Sequence, residues 1–390
     1  MRKEIVKTYK YRLYPNEEQK ELLEKHFGCT RFVYNRFLFE RKDQYQKTGK
    51  SHSYYDQCKD LTTLKKQEDY KWLNEINSQS LQQALRHLEK AYTGFFRGKG
   101  KYPKFKKKNS KNSFTIPQKA RVEGKKLYFP KFKEGIKIVE HRELQGEICY
   151  ATVIKSTTCK YFVYLTVKQS YNSKLPTNKE VGVDLGVKDL VITSEGTKFK
   201  NHKFFNKYKN QLKKAQQHLA RKTKGSRRYE NQRLKVAKIY EKITNCRSDV
   251  LHKISHELVM KYDAVYLEDL NIKGMLKNHK LSRSISDVAW GELVRQLQYK
   301  GNWDDTYIHK IFRFYPSSKT CHCCGYTLES LDLNTRTWTC PQCNVQHDRD
   351  INASINILLE GQRELSVGTP DYTNGEDIRP YEITSTKANL

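Results

Sequence analysis

The stretch Val181-Gly182-Val183-Asp184-Leu185-Gly186-Val187 constrains this chain more than any other. It reads as a buried strand that ends on a carboxylate and turns at a glycine. Two later stretches repeat the theme. Ala264-Val265-Tyr266-Leu267-Glu268-Asp269-Leu270-Asn271 is another apolar run ending in acid, and His347-Asp348-Arg349-Asp350-Ile351-Asn352-Ala353 opens a helix-like segment with acids. The three clusters lie about 80 residues apart, so only the fold can bring them together, and a shared divalent metal gives it a reason to.

Each acid alone has an ordinary explanation. Asp184 suits a strand-end turn, Glu268-Asp269 suit a polar strand end, and Asp348 or Asp350 suits the cap of a helix at 351–359. As a set, in a basic chain, they suggest a carboxylate cage for two Mg²⁺ ions, which prefer carboxylate and water oxygens. Two such ions about 4 Å apart activate water and stabilise the leaving oxygen in phosphodiester hydrolysis.

The charge supports that chemistry. Lys plus Arg number 74 against 43 Asp plus Glu, a net charge of +31 over 390 residues. Such an excess points to a polyanion, nucleic acid before membrane. Two runs concentrate it: residues 97–133 carry 14 basic residues against one acid, and 203–242 carry 14 against two. They offer two surfaces, more than a short duplex contact of about 6–10 phosphates needs. No run of 18 apolar residues exists, and the N-terminus lacks a signal-peptide core, so the expectation is a cytoplasmic protein without a membrane partner. Ten cysteines then suggest metal ligands and buried thiols, not disulfides.

Five of them crowd between 321 and 343. Cys321-His322-Cys323-Cys324 and Cys340-Pro341-Gln342-Cys343 contain two C-x-x-C knuckles separated by 15 residues. Paired knuckles supply tetrahedral zinc with four soft ligands, so Cys321, Cys324, Cys340 and Cys343 are expected to hold one structural Zn²⁺. Cys323 and His322 are spectators or ligands of a shifted arrangement.

The remaining chain reads in order. Residues 4–13 alternate as a strand. Pro15-Asn16-Glu17-Glu18 opens a helix, Gly28 is expected to break it, and a second helix follows, giving a helix-turn-helix-like pair. A helix over 78–97 buries Leu81, Ala84, Leu85, Leu88, Tyr92 and Phe95. Its opposite face carries Gln79, Gln83, Arg86 and Lys90, either a solvated stripe or a surface that reads target DNA, since Gln and Arg pair with base edges. Strands at 113–117, 126–129, 136–139, 147–154 and 161–168 suggest a small antiparallel barrel to which the first strand belongs. Past Asp184 come a strand pair around Glu195-Gly196, basic helices over 203–260 broken near Gly225, the strand ending at Glu268, a helix opened by Ser286-Asp287, and a strand over 307–315. The tail 361–390 is expected to be disordered.

Gly182-Val183-Asp184-Leu185-Gly186, Leu267-Glu268-Asp269-Leu270 and Asp348-Arg349-Asp350-Ile351-Asn352-Ala353 resemble the three motifs of a RuvC nuclease, which has an RNase H-like fold. Their interruption by Pro316-Ser317-Ser318-Lys319-Thr320-Cys321 and a zinc ribbon resembles the TnpB (OrfB) proteins of insertion sequences, compact relatives of type V CRISPR effectors. Tyr11-Arg12-Leu13-Tyr14-Pro15 and Ser80-Leu81-Gln82-Gln83-Ala84-Leu85 also resemble that family, so the likeness spans about residues 1–360. It implies a multidomain α/β protein. A β-barrel wedge domain would take 1–13 and 113–172, and a helical recognition domain 14–112. A RuvC-like domain would take 176–315 and 347–360, the zinc ribbon 316–346. It further implies an RNA-guided DNA endonuclease, monomeric on a guide RNA from the transposon end. Such an enzyme cuts double-stranded DNA beside a short motif at one site, where Asp184, Glu268 and Asp350 carry metal and catalysis. The alternatives are a nuclease-inactive repressor, against which the intact acid set argues, or a transposition accessory protein. The extra thiol of the first knuckle departs from the family pattern.

Overall fold

Strand β1 (Arg2–Tyr14) shows the period-2 logic of the N-terminal half. Ile5, Tyr9, Tyr11 and Leu13 point inward and are buried, while most of the residues between them stay in water. The computed structural model describes residues 2–108, 112–278, 282–332 and 334–367. They divide into two compact units: Arg2–Asn172 with Lys213–Glu241, and Ser173–Leu212 with the chain from Lys242 onward. Lys213–Glu241 thus cluster with the first unit, not with their sequence neighbours.

In the first unit three helices follow β1: α1 (Glu17–Thr48), α2 (Tyr54–Leu64) and α3 (Ser78–Phe96). Asn16 caps α1 through a capping box with Gln19. The expected break at Gly28 is absent: α1 is one helix of 32 residues. A mid-helix glycine costs only about 1 kcal/mol, and the flanking Phe27, Cys29, Thr30 and Val33 are all buried, which offsets it. On α3, Leu81, Ala84, Leu85, Leu88 and Tyr92 pack with Val33, Phe37 and Leu38 of α1, whereas Phe95, expected inside, is exposed.

Six further strands complete a seven-stranded sheet: β2 (Asn112–Ile116), β3 (Arg121–Glu123), β4 (Lys126–Phe129), β5 (Phe132–Val139), β6 (Glu147–Lys155) and β7 (Tyr161–Asn172). Its order is β2-β6-β7-β1-β5-β4-β3. The first strand therefore does join the later ones, pairing with β7 from Arg2↔Asn172 to Leu13↔Tyr161 and with β5 through Leu13↔Ile138. Among the described residues no ladder joins the outer strands β2 and β3. The sheet still curls around one core, because Phe114 of β2 and Phe129 of β4 place their rings 6.3 Å apart. His26 of α1 is buried beside Phe114 and Phe132. Its Nδ1 donates to the Leu22 carbonyl (2.7 Å) and its Nε2 accepts from the Asn77 N–H (3.3 Å), the pattern of a neutral imidazole.

The second unit is built on a five-stranded sheet. Its strands are β8 (Glu180–Asp184), β9 (Asp189–Thr193), β10 (Lys198–Lys200), β11 (Ala264–Glu268) and β12 (Tyr307–Ile311), in the order β10-β9-β8-β11-β12. The first three are antiparallel, whereas β11 runs parallel to both β8 and β12. Strands covered on both faces read as continuous apolar runs, as Val181, Val183 and the fully buried Ala264–Leu267 do. Helices α4 (Phe204–Ala220) and α5 (Arg227–Lys261) are separated near Gly225 as expected. Short helices α6 (Ile272–Met275) and α7 (Ser282–Val288) precede α8 (Trp290–Asp304). Asp287 does not open α8. The left-handed Ala289 separates α7 from α8, and the Asp287 carboxylate instead accepts the Phe205 N–H at the start of α4. β12 stops at Ile311, short of Tyr315, because the Phe312 N–H turns to Glu364.

The hairpin β13 (Thr337–Thr339) and β14 (Gln346–Asp348) leads into α9 (Arg349–Val367). The tail expected from residue 361 is thus helical as far as Val367. Buried Glu364 holds it, accepting from His309 Nε2 at 2.6 Å and from Phe312 N at 2.9 Å. Residues 368–390, the rest of that tail, lie outside the described residues. Glycines let α9 lie directly on the sheet. A Cβ on Gly182 would strike the Ser354 carbonyl and the Leu358 N–H, and one on Gly361 would strike the Tyr266 ring.

Candidate active site and metal centre

Register brings the first two acids together. Val183 of β8 pairs with Leu267 of β11, so Asp184 and Glu268 follow side by side at the ends of adjacent parallel strands, about 4.8 Å apart in the pairing direction. Asp350 stands in the first turn of α9, the helix seated on β8. Burial, then the charges of Glu268 and Asp350, push the Asp184 carboxyl up to about 8, while Arg349 opposes them. Burial likewise raises Glu268, and a hydrogen bond from Ser317 Oγ to its Oε1 (2.5 Å) opposes that. Two buried carboxyls pushed up in this way, with a third acid close by, are what a divalent cation relieves. Their oxygens are not gathered as tightly as the thiols described below: among the described residues, only groups of cysteine and histidine keep all their ligand atoms within 4.8 Å of one another.

The neighbouring acids are otherwise engaged. Asp269 pairs with Arg313 and with Lys310. Asp348 caps α9, its Oδ1 accepting the N–H groups of Asp350 (3.0 Å) and Ile351 (3.1 Å) while Oδ2 meets Lys198 at 2.6 Å. Burial alone would raise its pKa, but the Lys198 bond and those two N–H groups hold it below the usual range. Asp350, the acid that the family resemblance favours over Asp348, instead has an ion pair to Arg336 at 3.5 Å.

A cleft of about 290 Å³ adjoins Glu268, lined also by Arg313, Tyr315, Ser317, Lys319 and Arg349. Its wall is fixed from α9. Asn352 Nδ2 donates to the Thr320 carbonyl (2.7 Å), and Asn356 Nδ2 to those of Ser317 (2.8 Å) and Thr320 (2.6 Å). These two asparagines, Ser317, Arg336 and Arg349 were not singled out from the sequence. The available signal was a pair of asparagines at i and i+4 on an otherwise apolar helix face.

The four expected cysteines converge: Cys321 and Cys343 place their sulfurs 3.6 Å apart, as do Cys324 and Cys340. Sulfurs bound tetrahedrally at 2.3 Å stand about 3.8 Å apart, so the donor set and spacing fit one zinc ion. Each knuckle closes on a left-handed residue, Gly325 or Asn344, whose N–H returns to the Cys321 or Cys340 carbonyl at 2.9 Å. His322 is not part of the set; its Nδ1 meets Asn352 Oδ1 at 2.9 Å.

On α3, Arg86 and Lys90 are exposed and Gln83 half-buried. Gln79 is turned inward, its Nε2 donating to Gln118 at 3.1 Å, so it is less free than the other three to read a base.

Fold and site together define a nuclease-like α/β protein with a zinc ribbon threaded between its second and third acids. A family model described as "Probable transposase" (OrfB_IS605) matches residues 161–279, a "Cas12f1-like, TNB domain" matches 290–357, and a "Helix-turn-helix domain" matches 1–50, where the structure has a strand and one long helix. A Streptomyces pristinaespiralis protein named "Putative RNA-guided DNA endonuclease" is 39% identical over 389 residues, covering 99% of this chain and 95% of that one. Escherichia coli (strain K12) "Putative RNA-guided DNA endonuclease InsQ" is 29% identical over 380 residues, covering 93% and 94%. Among solved structures, a Cas12f1–sgRNA–target DNA complex shares the fold at a TM-score of 0.55 and 14% identity, covering 91% of this chain and 98% of that one. The chain belongs to the OrfB (TnpB) family of transposon-encoded RNA-guided nucleases.

Proposed function

We propose that this protein is an RNA-guided DNA endonuclease that cuts double-stranded DNA beside a short flanking motif, using Mg²⁺ held by Asp184, Glu268 and Asp350. The observation that carries the reading is the placement of Asp184 and Glu268 at the ends of adjacent parallel strands with Asp350 in the first turn of the helix seated on them. Two Mg²⁺ ions, when bound, supply the activated water and neutralise the leaving oxygen. The protein's residues do the rest. Asp184 gives up its proton to become an oxygen donor beside Asp350, and Ser317 orients Glu268. Asp348 fixes the first turn of α9 and so the position of Asp350. Arg313, Lys319 and Arg349 give the cleft a positive field that draws in the phosphate backbone.

The relatives' names and the Cas12f1 complex, which holds an sgRNA and target DNA, support guide RNA and DNA as partners. The sheet order of the second unit supports the RNase H-like assignment of 176–315 and 347 onward. The curled seven-stranded sheet supports a wedge role for 1–13 and 113–172. Residues 14–112 act in recognition, with Gln83, Arg86 and Lys90 facing DNA, and the ribbon 316–346 handles the target strand. In this reading one protein binds one RNA from the transposon end and acts in the cytoplasm. The test is cleavage by the reconstituted protein–RNA complex. Asp184→Ala, Glu268→Ala and Asp350→Ala should each abolish cutting of both strands while RNA binding persists, and RNase treatment before assembly should abolish it too. Wild-type cutting by any of the three variants, or site-specific cutting by RNA-free protein, refutes the assignment.

A further inference from the structure

The ribbon holds more metal-binding atoms than one ion uses. Besides the four-thiol group, Cys321, Cys323 and His347 keep their ligand atoms within 4.8 Å of one another. His347 is buried, and its Nε2 lies 3.1 Å from Cys321 Sγ. Its ring is held between Trp338 (4.7 Å between centroids) and His322 (4.8 Å), and β-pairing fixes its backbone opposite Trp338. The nearby His322 belongs to no such group among the described residues. Cys323 and Cys324 are neighbours in one knuckle, both exposed, whereas Cys321 and Cys340 are buried.

We propose that the ribbon has two overlapping ligand registers for one zinc ion. The resting register is Cys321, Cys324, Cys340 and Cys343. When Cys324 is withdrawn, Cys323 replaces it and His347 completes the site with Cys321 and one thiolate of the second knuckle. The exchange moves from four thiolates to three thiolates and an imidazole, both of which zinc accepts in structural sites because it imposes no directional preference of its own. The exposed thiolate is the one most easily lost, so the reserve protects the ion where the site is weakest. It also protects the path to catalysis, because β14, which carries His347, runs straight into α9 and Asp350.

The inference rests on the four-thiol group being a zinc site, and the experiment separates the two. Full-length protein is purified without chelator, and its zinc is measured by elemental analysis. Cobalt is then exchanged in, so that the thiolate charge-transfer band counts sulfur ligands. Wild type and Cys323→Ala should hold one zinc with a four-thiolate spectrum. Cys324→Ala should still hold one, released by lower chelator concentrations, with a three-thiolate spectrum. Cys323→Ala/Cys324→Ala and Cys324→Ala/His347→Gln should hold none. A zinc-free wild type refutes the zinc site itself. With zinc in the wild type, the reserve register is refuted if Cys324→Ala is as empty as the double variants, if either double variant keeps its zinc, or if Cys323→Ala alone loses it.

Discussion

Gly182→Ala tests how the sheet and α9 hold the acids in place. Gly182 does not have a positive φ, so alanine is conformationally acceptable, and in open space the change would stabilise by about 0.4–1 kcal/mol through the unfolded chain. Space is what is missing. The added Cβ would stand 2.6 Å from the Leu358 N and 2.9 Å from the Leu358 Cβ, and nearer still to the Ser354 carbonyl. Ordinary contacts lie at about 3.5–4.0 Å, so α9 must retreat by more than about 1 Å. Overpacking of this kind costs about 1–3 kcal/mol, and a 1 Å misplacement of a reacting group costs about 10²-fold in rate. The expected result is a lower melting temperature and cleavage slower by about two orders of magnitude, with RNA retention unchanged. Gly28→Ala is the control: no atom lies within 4 Å of its added Cβ inside α1, and the change should stabilise by about 1 kcal/mol. The reasoning is refuted if Gly182→Ala melts and cuts like wild type, or if Gly28→Ala is the more damaging of the two.

Three further outcomes are expected. Burial pushes the His26 imidazole down to about 4, below its usual 6.5. The unfolded chain therefore takes the proton first, and stability present above pH 6.5 is lost as pH falls toward 4, by on the order of 3 kcal/mol. Denaturant titrations should show this slope flattened in His26→Gln, and equal slopes would contradict the buried neutral ring. Cys340→Ser should lower zinc content and loosen the ribbon to proteolysis; because Cys343 is only seven residues from Asp350, cleavage should fall with it, and full zinc with full activity would count against the site. Gln83→Ala should change the preferred flanking motif by roughly 1–3 kcal/mol of discrimination, measured on a randomised-motif DNA library; an unchanged preference would remove its base-reading role.

The acids at 184 and 268 and the four converging cysteines could be nominated from local pattern, whereas Asp350 was preferred to Asp348 only on the family resemblance. An apolar run that ends in a carboxylate announces a buried strand, and knuckle spacing announces a tetrahedral ion. Strand existence was legible for the same reason, since alternation in β1 and continuous burial in β8 and β11 are properties of the residues themselves. Glycines were harder to read. Gly28 looked like a helix break, yet α1 runs through it, because burial of Phe27, Cys29 and Val33 outweighs one residue's propensity. Gly182 looked like part of a motif, and its physical use, clearance for α9, depends on a helix more than 160 residues away.

Sequence alone also pointed to the partner class, since a charge of +31 favours a polyanion whatever the fold. Only the tertiary structure shows what each neighbouring acid meets. Asp348 and Asp350 are equivalent in composition and two residues apart, but one is spent on the α9 cap and Lys198 while the other stands near Asp184. It alone decided that Glu364 is a buried strut in a stretch that reads as a polar tail, and that Asn352 and Asn356 clamp the cleft wall. The reason is common to all of them: a polar side chain's role is set by the partner it meets, and these partners lie far away along the chain, where no local pattern records them.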